Sequence, residues 1–135
     1  MLYLLDTNEF SALMRNDPGS AAGIAALSGA DQVSISVVVR GEILHGIMRL
    51  PSSKRRSELQ ARANLHFDDL ECVPIDERIA DTYARMRTDC EKAGLPLDNN
   101  DLWIAATTLT MSATLVSRDA DFARINGLRV VVWSA

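Results

Sequence analysis

The feature that most limits how this chain can fold is the alternation of short apolar segments with longer segments of helical periodicity. After the second apolar segment, for example, Ile43, Leu44, Ile47 and Met48 recur at the spacing of one helix face. Short buried strands that alternate with helices are typical of a parallel sheet covered by helices on both faces. The sequence therefore predicts an α/β fold with five strands, at 2–5, 32–36, 72–75, 114–117 and 128–133.

The helix boundaries are predicted from capping residues and helix breakers. Asn8 is expected to cap a first helix over about 8–15, and Pro18-Gly19 to interrupt the chain before a second helix near 20–28. Asp76 is expected to cap a long helix that ends at Gly94, since glycine is common just past a helix end. Further helices are predicted over 37–50, 52–70 and 99–113.

Length and composition indicate the class of protein. At 135 residues the chain can bury one core, and we expect a single domain over 1–135. A content of 47% hydrophobic and 24% charged residues argues against disordered and fibrous classes. No apolar run reaches the ~18 residues of a membrane span, and the start does not resemble an export signal, so a cytoplasmic location is expected. Cys72 and Cys90 are then expected to be reduced thiols.

Four acidic residues stand near the ends of predicted strands or in the helices that follow them. They are Asp6 after the first strand, Glu42 in the helix after the second, Asp101 in a first helical turn, and Asp119 after the fourth strand. In open parallel sheets, ligands bind outside the carboxyl ends of the strands, where the strand order reverses. One such acid alone is more often a helix cap. Four acids from four separate segments instead predict one shared site.

A cluster of carboxylates among apolar neighbours requires positive charge, because an unpaired buried charge is costly. Few basic residues accompany these acids, although Arg118 stands directly beside Asp119. Mg²⁺ or Mn²⁺ prefers oxygen ligands and would supply the charge. Such an ion lowers the pKa of a bound water, so the predicted chemistry is hydrolysis of a phosphodiester. The net charge of −4 argues against a broad basic face for nucleic acid but does not exclude this kind of site.

Four motifs in series resemble one known family. They are LLDTN after the first strand, RGEILHGI on the third helix, NDLWIAA, and TLVSRDADF around the fourth strand. Together they resemble the PIN domain, and specifically the VapC-like toxins of bacterial toxin–antitoxin pairs, over essentially the whole chain. The resemblance implies a three-layer α/β/α sandwich with a central, mostly parallel five-stranded sheet. It also implies a Mg²⁺- or Mn²⁺-dependent endoribonuclease that acts as a toxin.

The same resemblance implies partners and residue roles. The catalytic acids and metal ligands would be Asp6, Glu42, Asp101 and Asp119, with Asp6 and Asp101 the strongest direct ligands. The groups that orient these carboxylates would be Thr7, Asn8 and Ser117. The partners would be RNA, a second copy of the chain in a homodimer, and a cognate VapB-like antitoxin that forms a higher assembly and lies across the active site.

Three further acids and a basic segment have roles that the sequence leaves open. Glu9 stands where the family commonly has an apolar residue or His, and we interpret it as a bystander stabilised by the helix dipole. Asp98 is interpreted as a helix cap and Asp121 as the cap of a short turn, and either can support the metal indirectly. The residues expected to contact the RNA backbone are Arg15, Arg49, Lys54, Arg55 and Arg56.

Two other functions fit parts of the pattern. An acidic pocket at strand ends also describes phosphoacceptor signalling modules. Those modules need a lysine late in the chain, and the only lysines here are Lys54 and Lys92, neither of which follows a late strand. A catalytically silent binding protein with the same fold is the other alternative, and it ranks below the nuclease because all four acid positions are filled.

Overall fold

The computed structural model describes residues 1–134, and its centre is one sheet of five strands. The strands are β1 (Leu2–Leu5), β2 (Gln32–Ser36), β3 (Glu71–Val73), β4 (Thr114–Val116) and β5 (Arg129–Val131). Their order is β3-β2-β1-β4-β5, and all four neighbouring pairs are parallel. The predicted α/β fold with five strands is therefore confirmed, and the sheet is parallel throughout.

Helices cover both faces of this sheet. They are α1 (Thr7–Met14), α2 (Pro18–Ala25), α3 (Val37–Met48), α4 (Lys54–Asp69), α5 (Glu77–Ala93) and α6 (Asn99–Thr110), with a short 3-10 helix over Phe122–Arg124. Crossovers between parallel strands are right-handed, so α1 to α4, which connect β1 to β3, lie on one face. The chain then reverses direction across the sheet, which places α5 and α6 on the other face. Within residues 1–134, no helix is long and apolar enough to cross a membrane.

The strand order reverses beside β1. The chain runs from β1 outward to β3 and returns to β4 on the opposite side of β1. Leu5 at the end of β1 lies opposite Val116 at the end of β4. The next residues, Asp6 and Ser117, therefore emerge side by side at the carboxyl edge of the sheet. This edge is where a parallel sheet of this kind binds its ligand.

Each of the six α-helices begins after a residue whose side chain accepts a backbone hydrogen bond from the first turn. These caps are Asp6, Asp17, Ser36, Ser53, Asp76 and Asp98. The prediction of Asn8 as the first cap is wrong. The cap is Asp6, two residues earlier in the sequence, because Asp6 has an extended backbone and its side chain accepts a hydrogen bond from the Glu9 N–H. Pro18 occupies the first position of α2, where its missing N–H costs nothing.

The first two strands have their predicted bounds, and the other three end earlier than predicted. The third strand ends at Val73, since the next residue is Pro74, which has no N–H to donate to a neighbouring strand. The fourth ends at Val116 and the fifth at Val131. Cys72 and Cys90 are unpaired thiols, as expected.

The end of the chain packs closely against α2. A Cβ atom built on Gly23 would lie 2.4 Å from the Trp133 ring, and one on Gly19 would lie 2.1 Å from the Trp133 carbonyl oxygen. The Trp133 ring also packs on Tyr3 of β1, with 5.4 Å between ring centroids. The two glycines therefore let α2 approach the C-terminal segment and hold α2 against the sheet.

We expect Gly23→Ala to destabilise the protein by about 1–3 kcal/mol, because the added methyl group has to displace the Trp133 ring. Gly41→Ala is the matched control. A Cβ at Gly41 meets nothing within 4 Å, and alanine favours the helix by roughly 0.5–1 kcal/mol. Urea unfolding followed by circular dichroism measures both changes. Equal midpoints for Gly23→Ala and the unsubstituted protein would contradict this packing.

Candidate active site

Asp6 is the most constrained of the four acids. It follows β1 and is 5% exposed. Its Oδ1 accepts a hydrogen bond from the Glu9 N–H at 2.8 Å, and its Oδ2 accepts one from the Ser117 hydroxyl at 2.5 Å. Burial raises the pKa of Asp6 above its ordinary value, and these two hydrogen bonds oppose that rise in part. The carboxylate that caps α1 is thus held through both oxygens.

Ser117 connects Asp6 to the segment that carries Asp119. Its hydroxyl donates to Asp6 and accepts a hydrogen bond from the Asp119 N–H at 3.0 Å. Its own backbone N–H donates to the Val131 carbonyl at 3.0 Å. Ser117 is buried and follows β4 directly. One serine therefore fixes the relative positions of two acids that are 113 residues apart in sequence, the difference between positions 119 and 6.

Glu42 lies on the second turn of α3 and is half-buried. Its Oε1 accepts a hydrogen bond from the Thr7 hydroxyl at 2.6 Å. Thr7 is the first residue of α1, directly after Asp6. This contact brings the acid on α3 to the same strand end as Asp6.

The pKa of Asp101 depends on its burial and on the charges of the other acids of the cluster. It lies in the first turn of α6 and is half-buried. Burial is the largest effect that raises the pKa of Asp101, and the charges of Asp98, Asp119, Glu42 and Asp6 raise it further, to about 7. Since these charges act together on one carboxyl group, the structure brings all four predicted acids into one neighbourhood.

Asp98, Asp119 and Asp121 differ in their surroundings. The Asp98 side chain accepts the Asp101 N–H at 2.8 Å, so the predicted cap is confirmed. Asp119 is exposed, and its Oδ1 accepts the Asp121 N–H at 2.9 Å. The prediction that Asp121 caps the following turn is wrong, because its side chain accepts no capping hydrogen bond and lies 3.6 Å from Arg124.

The four acids, Asp6, Glu42, Asp101 and Asp119, supply carboxylate oxygens that form no ion pair in the described part of the chain. Carboxylate oxygens are the ligands that Mg²⁺ and Mn²⁺ prefer, so the donor set fits such an ion. In the same part of the chain, no three His, Cys, Asp or Glu side chains are placed so that they could hold a metal as they stand. An ion held by three or more of the acids would therefore require side-chain movement.

A groove between α1, α3 and α4 reaches Thr7 and Glu42 and has a volume of about 390 Å³. We call it the arginine groove, because three arginines line it: Arg15, Arg55 and Arg62. Arg62 was not among the predicted RNA contacts, although it lies two helical turns after Arg55 on the same face of α4.

The other predicted basic residues have different surroundings. Arg49 lines a cavity of about 490 Å³ that also contains Thr7 and Glu42. Lys54 and Arg56 do not line either cavity. Lys54 lies 3.8 Å from Glu58, and Arg56 donates to the Leu50 carbonyl at 3.5 Å. Two of the five predicted RNA contacts are thus placed away from the acids.

Asn8 is exposed at the edge of the site. It lines a cavity of about 500 Å³ with Arg15, Arg118 and Asp119. Within residues 1–134, no hydrogen bond links the Asn8 side chain to an acid. Unlike Thr7 and Ser117, it is therefore not in contact with a carboxylate that it was predicted to orient.

The burial of Glu9 was not predicted from the sequence. The residue is 2% exposed, and the interpretation of Glu9 as a bystander stabilised by the helix dipole did not include this burial. The Ser20 hydroxyl of α2 donates to its Oε1 at 2.7 Å. No sequence signal identified this burial, because it depends on how α2 packs against α1.

Comparisons with known proteins show the family and the fold of this chain. Residues 3–128 match the family described as PIN domain. The chain is 30% identical over 135 residues to "Ribonuclease VapC2" of Rickettsia felis, with 98% of both chains covered. It superimposes on a structure of VapBC2 from Rickettsia felis, bound to a DNA fragment from their promoter, with a TM-score of 0.91, 27% identity and coverage of 99% and 100%. For VapBC-5 from Mycobacterium tuberculosis, a member of the VapBC family of toxin-antitoxin systems, the TM-score is 0.75 at 27% identity, with 99% and 98% covered.

The raised pKa of Asp101 predicts how stability depends on pH in protein treated with a chelator. Between pH 3.8 and about 7, the folded protein keeps a proton on Asp101 that the unfolded chain has released. The free energy of unfolding contributed by this group therefore falls as the pH rises through that window. Urea unfolding at pH 5.5 and 7.5 measures the change, and Asp101→Asn is expected to show a smaller decrease. An identical pH dependence in both proteins would contradict the assignment.

Proposed function

The chain belongs to the PIN domain family, and from this premise we propose that it is a divalent-metal-dependent endoribonuclease that acts as the toxin of a toxin–antitoxin pair. The observation that carries the proposal is the meeting of four carboxylates at the point where the strand order reverses, without a basic partner within residues 1–134. The relative from Rickettsia felis is named a ribonuclease, and it aligns with this chain over nearly its whole length.

Asp6 and Asp101 would hold a Mg²⁺ or Mn²⁺ ion, with Glu42 and Asp119 as further ligands. When bound, such an ion lowers the pKa of a coordinated water and offsets charge on a phosphoryl oxygen. The support for this assignment is the donor set and the surroundings of Asp101, whose pKa is raised first by burial and then by the negative charges of the neighbouring acids, which a cation would neutralise. Asp98 and Asp121 act at most indirectly, through Asp101 and Asp119.

Two hydroxyl groups, those of Ser117 and Thr7, orient the acids before a metal ion binds. Ser117 directs one oxygen of Asp6 and fixes the Asp119 backbone, and Thr7 directs one oxygen of Glu42. Side chains that are held before a ligand arrives lose less freedom when it binds. Carboxylates of a metal site are commonly oriented by such hydrogen bonds.

The arginine groove provides the positive charge that an RNA backbone requires. Arg15, Arg55 and Arg62 lie along a groove that also contains Glu42, so a strand bound there would have phosphates close to the acids. Arg49 extends the basic surface on the other cavity at Glu42. Because these contacts are to phosphate, they would provide affinity without reading the sequence of the RNA.

The proposed protein partner is a cognate VapB-like antitoxin. The two matched structures are of VapBC proteins, and one of them is described as a member of a family of toxin-antitoxin systems. We further propose that the chain forms a homodimer, joins the antitoxin in a larger assembly and acts in the cytoplasm.

Neither alternative function fits as well. In a phosphoacceptor module a lysine contacts the phosphoryl group, but Lys54 lies on α4 near Glu58 and Lys92 is in the last turn of α5. A catalytically silent binding protein would not need four converging acids, one of which, Asp101, has a pKa that burial and the charges of its neighbours raise to about 7. Cleavage of RNA distinguishes the nuclease from both.

Replacing either principal acid with its amide is expected to reduce RNA cleavage by roughly 100-fold or more, because the metal loses a charged ligand. Asp6→Asn keeps a residue that caps helices well, so α1 should remain folded. The measurement is cleavage of a fluorescent RNA with Mg²⁺ or Mn²⁺, with circular dichroism as the control for folding. Normal cleavage by Asp101→Asn would show that the site is wrongly assigned.

Substitutions of two neighbouring basic residues on α4 test whether the arginine groove binds RNA. Arg55→Ala is expected to weaken RNA binding several-fold and to reduce its dependence on salt, since one phosphate contact is lost. Lys54→Ala removes the same charge at the adjacent position outside the groove and should have little effect. Binding to RNA by the inactive Asp101→Asn protein, measured at two salt concentrations, compares the two variants. Equal losses for both would remove the groove from the proposal.

A further inference from the structure

Glu9 is a buried carboxylate that the proposed active site does not use. Its Oε1 accepts the Ser20 hydroxyl at 2.7 Å, but its Oε2 has no hydrogen-bond partner within residues 1–134. It lies on the same helix as Asp6, and its backbone N–H donates to Asp6 Oδ1. Burial is the main cause of the raised pKa of Asp6, and the negative charge of Glu9, three residues further along the same helix start, adds to it.

The structure of α1 and α2 does not depend on this charge. A buried charge that is only partly hydrogen-bonded reduces stability, and an apolar side chain of similar size is commonly as stable or more stable. Ser20 has a second acceptor, because its hydroxyl also lies 3.4 Å from Asp17 Oδ2 and its N–H donates to the same oxygen at 3.0 Å. The contact between α1 and α2 therefore does not explain why an acid is buried here.

We propose that Glu9 is a positioning residue of the metal site: a fifth acid, buried and held by Ser20 near Asp6, that strengthens divalent-cation binding without being a ligand. This inference rests on the proposed function, because it concerns the same cation. It assigns a role to an acid outside the four that the motifs contain, so Glu9 is no longer interpreted as a bystander.

The effect is electrostatic. A charge that water screens poorly acts over several ångströms, so the Glu9 carboxylate attracts a divalent ion held by Asp6 even without contact. Without a cation, the Glu9 carboxylate disfavours negative charge on Asp6. Both effects increase the affinity for the cation, because the bound ion is attracted to Glu9 and also offsets the repulsion between Glu9 and Asp6.

The test is the affinity for Mn²⁺ of the full chain, measured by calorimetry and by electron paramagnetic resonance of the unbound ion. Glu9→Gln keeps the size of the side chain and an oxygen for Ser20, and we expect its Kd for Mn²⁺ to rise by about three- to tenfold. Glu71→Gln is the matched control, because it removes the same charge from an exposed residue at the start of β3. Its Kd should stay within about twofold of the unsubstituted protein, since exposed charges are screened.

A second variant separates an electrostatic role from a structural one. Glu9→Met replaces the carboxylate by an apolar side chain of similar length. We expect its thermal midpoint to equal or exceed that of the unsubstituted protein while its Kd for Mn²⁺ rises as in Glu9→Gln. A residue that serves only to join α1 to α2 would give the opposite result, a lower midpoint with an unchanged Kd.

The outcomes also distinguish this inference from the proposed function. An unchanged Kd in Glu9→Gln overturns the inference, and so does a failure of both variants to fold, which would make Glu9 a structural residue. In either case, inactive Asp6→Asn protein leaves the nuclease assignment in place. If the unsubstituted protein binds no Mn²⁺ at millimolar concentration, the proposed metal dependence fails and the role of Glu9 fails with it.

Discussion

The hydrogen bond between Ser117 and Asp6 is the interaction on which the site depends. It joins the ends of β1 and β4, the two neighbouring strands between which the strand order reverses. Because Asp6 also caps α1, this one bond fixes a carboxylate, the start of a helix and the segment that leads to Asp119. The site is therefore a direct consequence of the parallel sheet and not of a flexible loop placed over it.

Concentrated negative charge is the second constraint. Folding brings Asp6, Glu42, Asp101 and Asp119 together, and burial, with the charges of the neighbouring acids, raises the pKa of Asp101 to about 7. Such repulsion costs stability, and proteins tolerate this kind of cost mainly where function requires it. Glu9 adds to the cost from inside the fold, where an apolar residue would be the more stable choice. The buried charges are thus better explained by a cation than by the needs of the fold.

Local sequence rules succeeded where the structure is decided locally. Strand and helix alternation, the Asp98 cap and the end of α5 at Gly94 were all predicted, since each depends on a few neighbouring residues. The errors are also informative. Asn8 and Asp121 were taken for caps on residue type alone. Asn8 lies inside α1, and Asp121 precedes the 3-10 helix but has helical backbone angles, and its side chain accepts no capping hydrogen bond.

The sequence by itself determined the succession of strands and helices and the acids placed at their ends, because hydrophobic periodicity and helix signals are local properties. Only the tertiary structure decided which residues meet. The strand order places Asp6 beside Ser117, and helix packing buries Glu9 against Ser20. The same packing separates Arg55 in the groove from Lys54 outside it. These relations join residues that are distant in sequence or adjacent on one helix, so they follow from the packing of whole elements, which no short segment specifies.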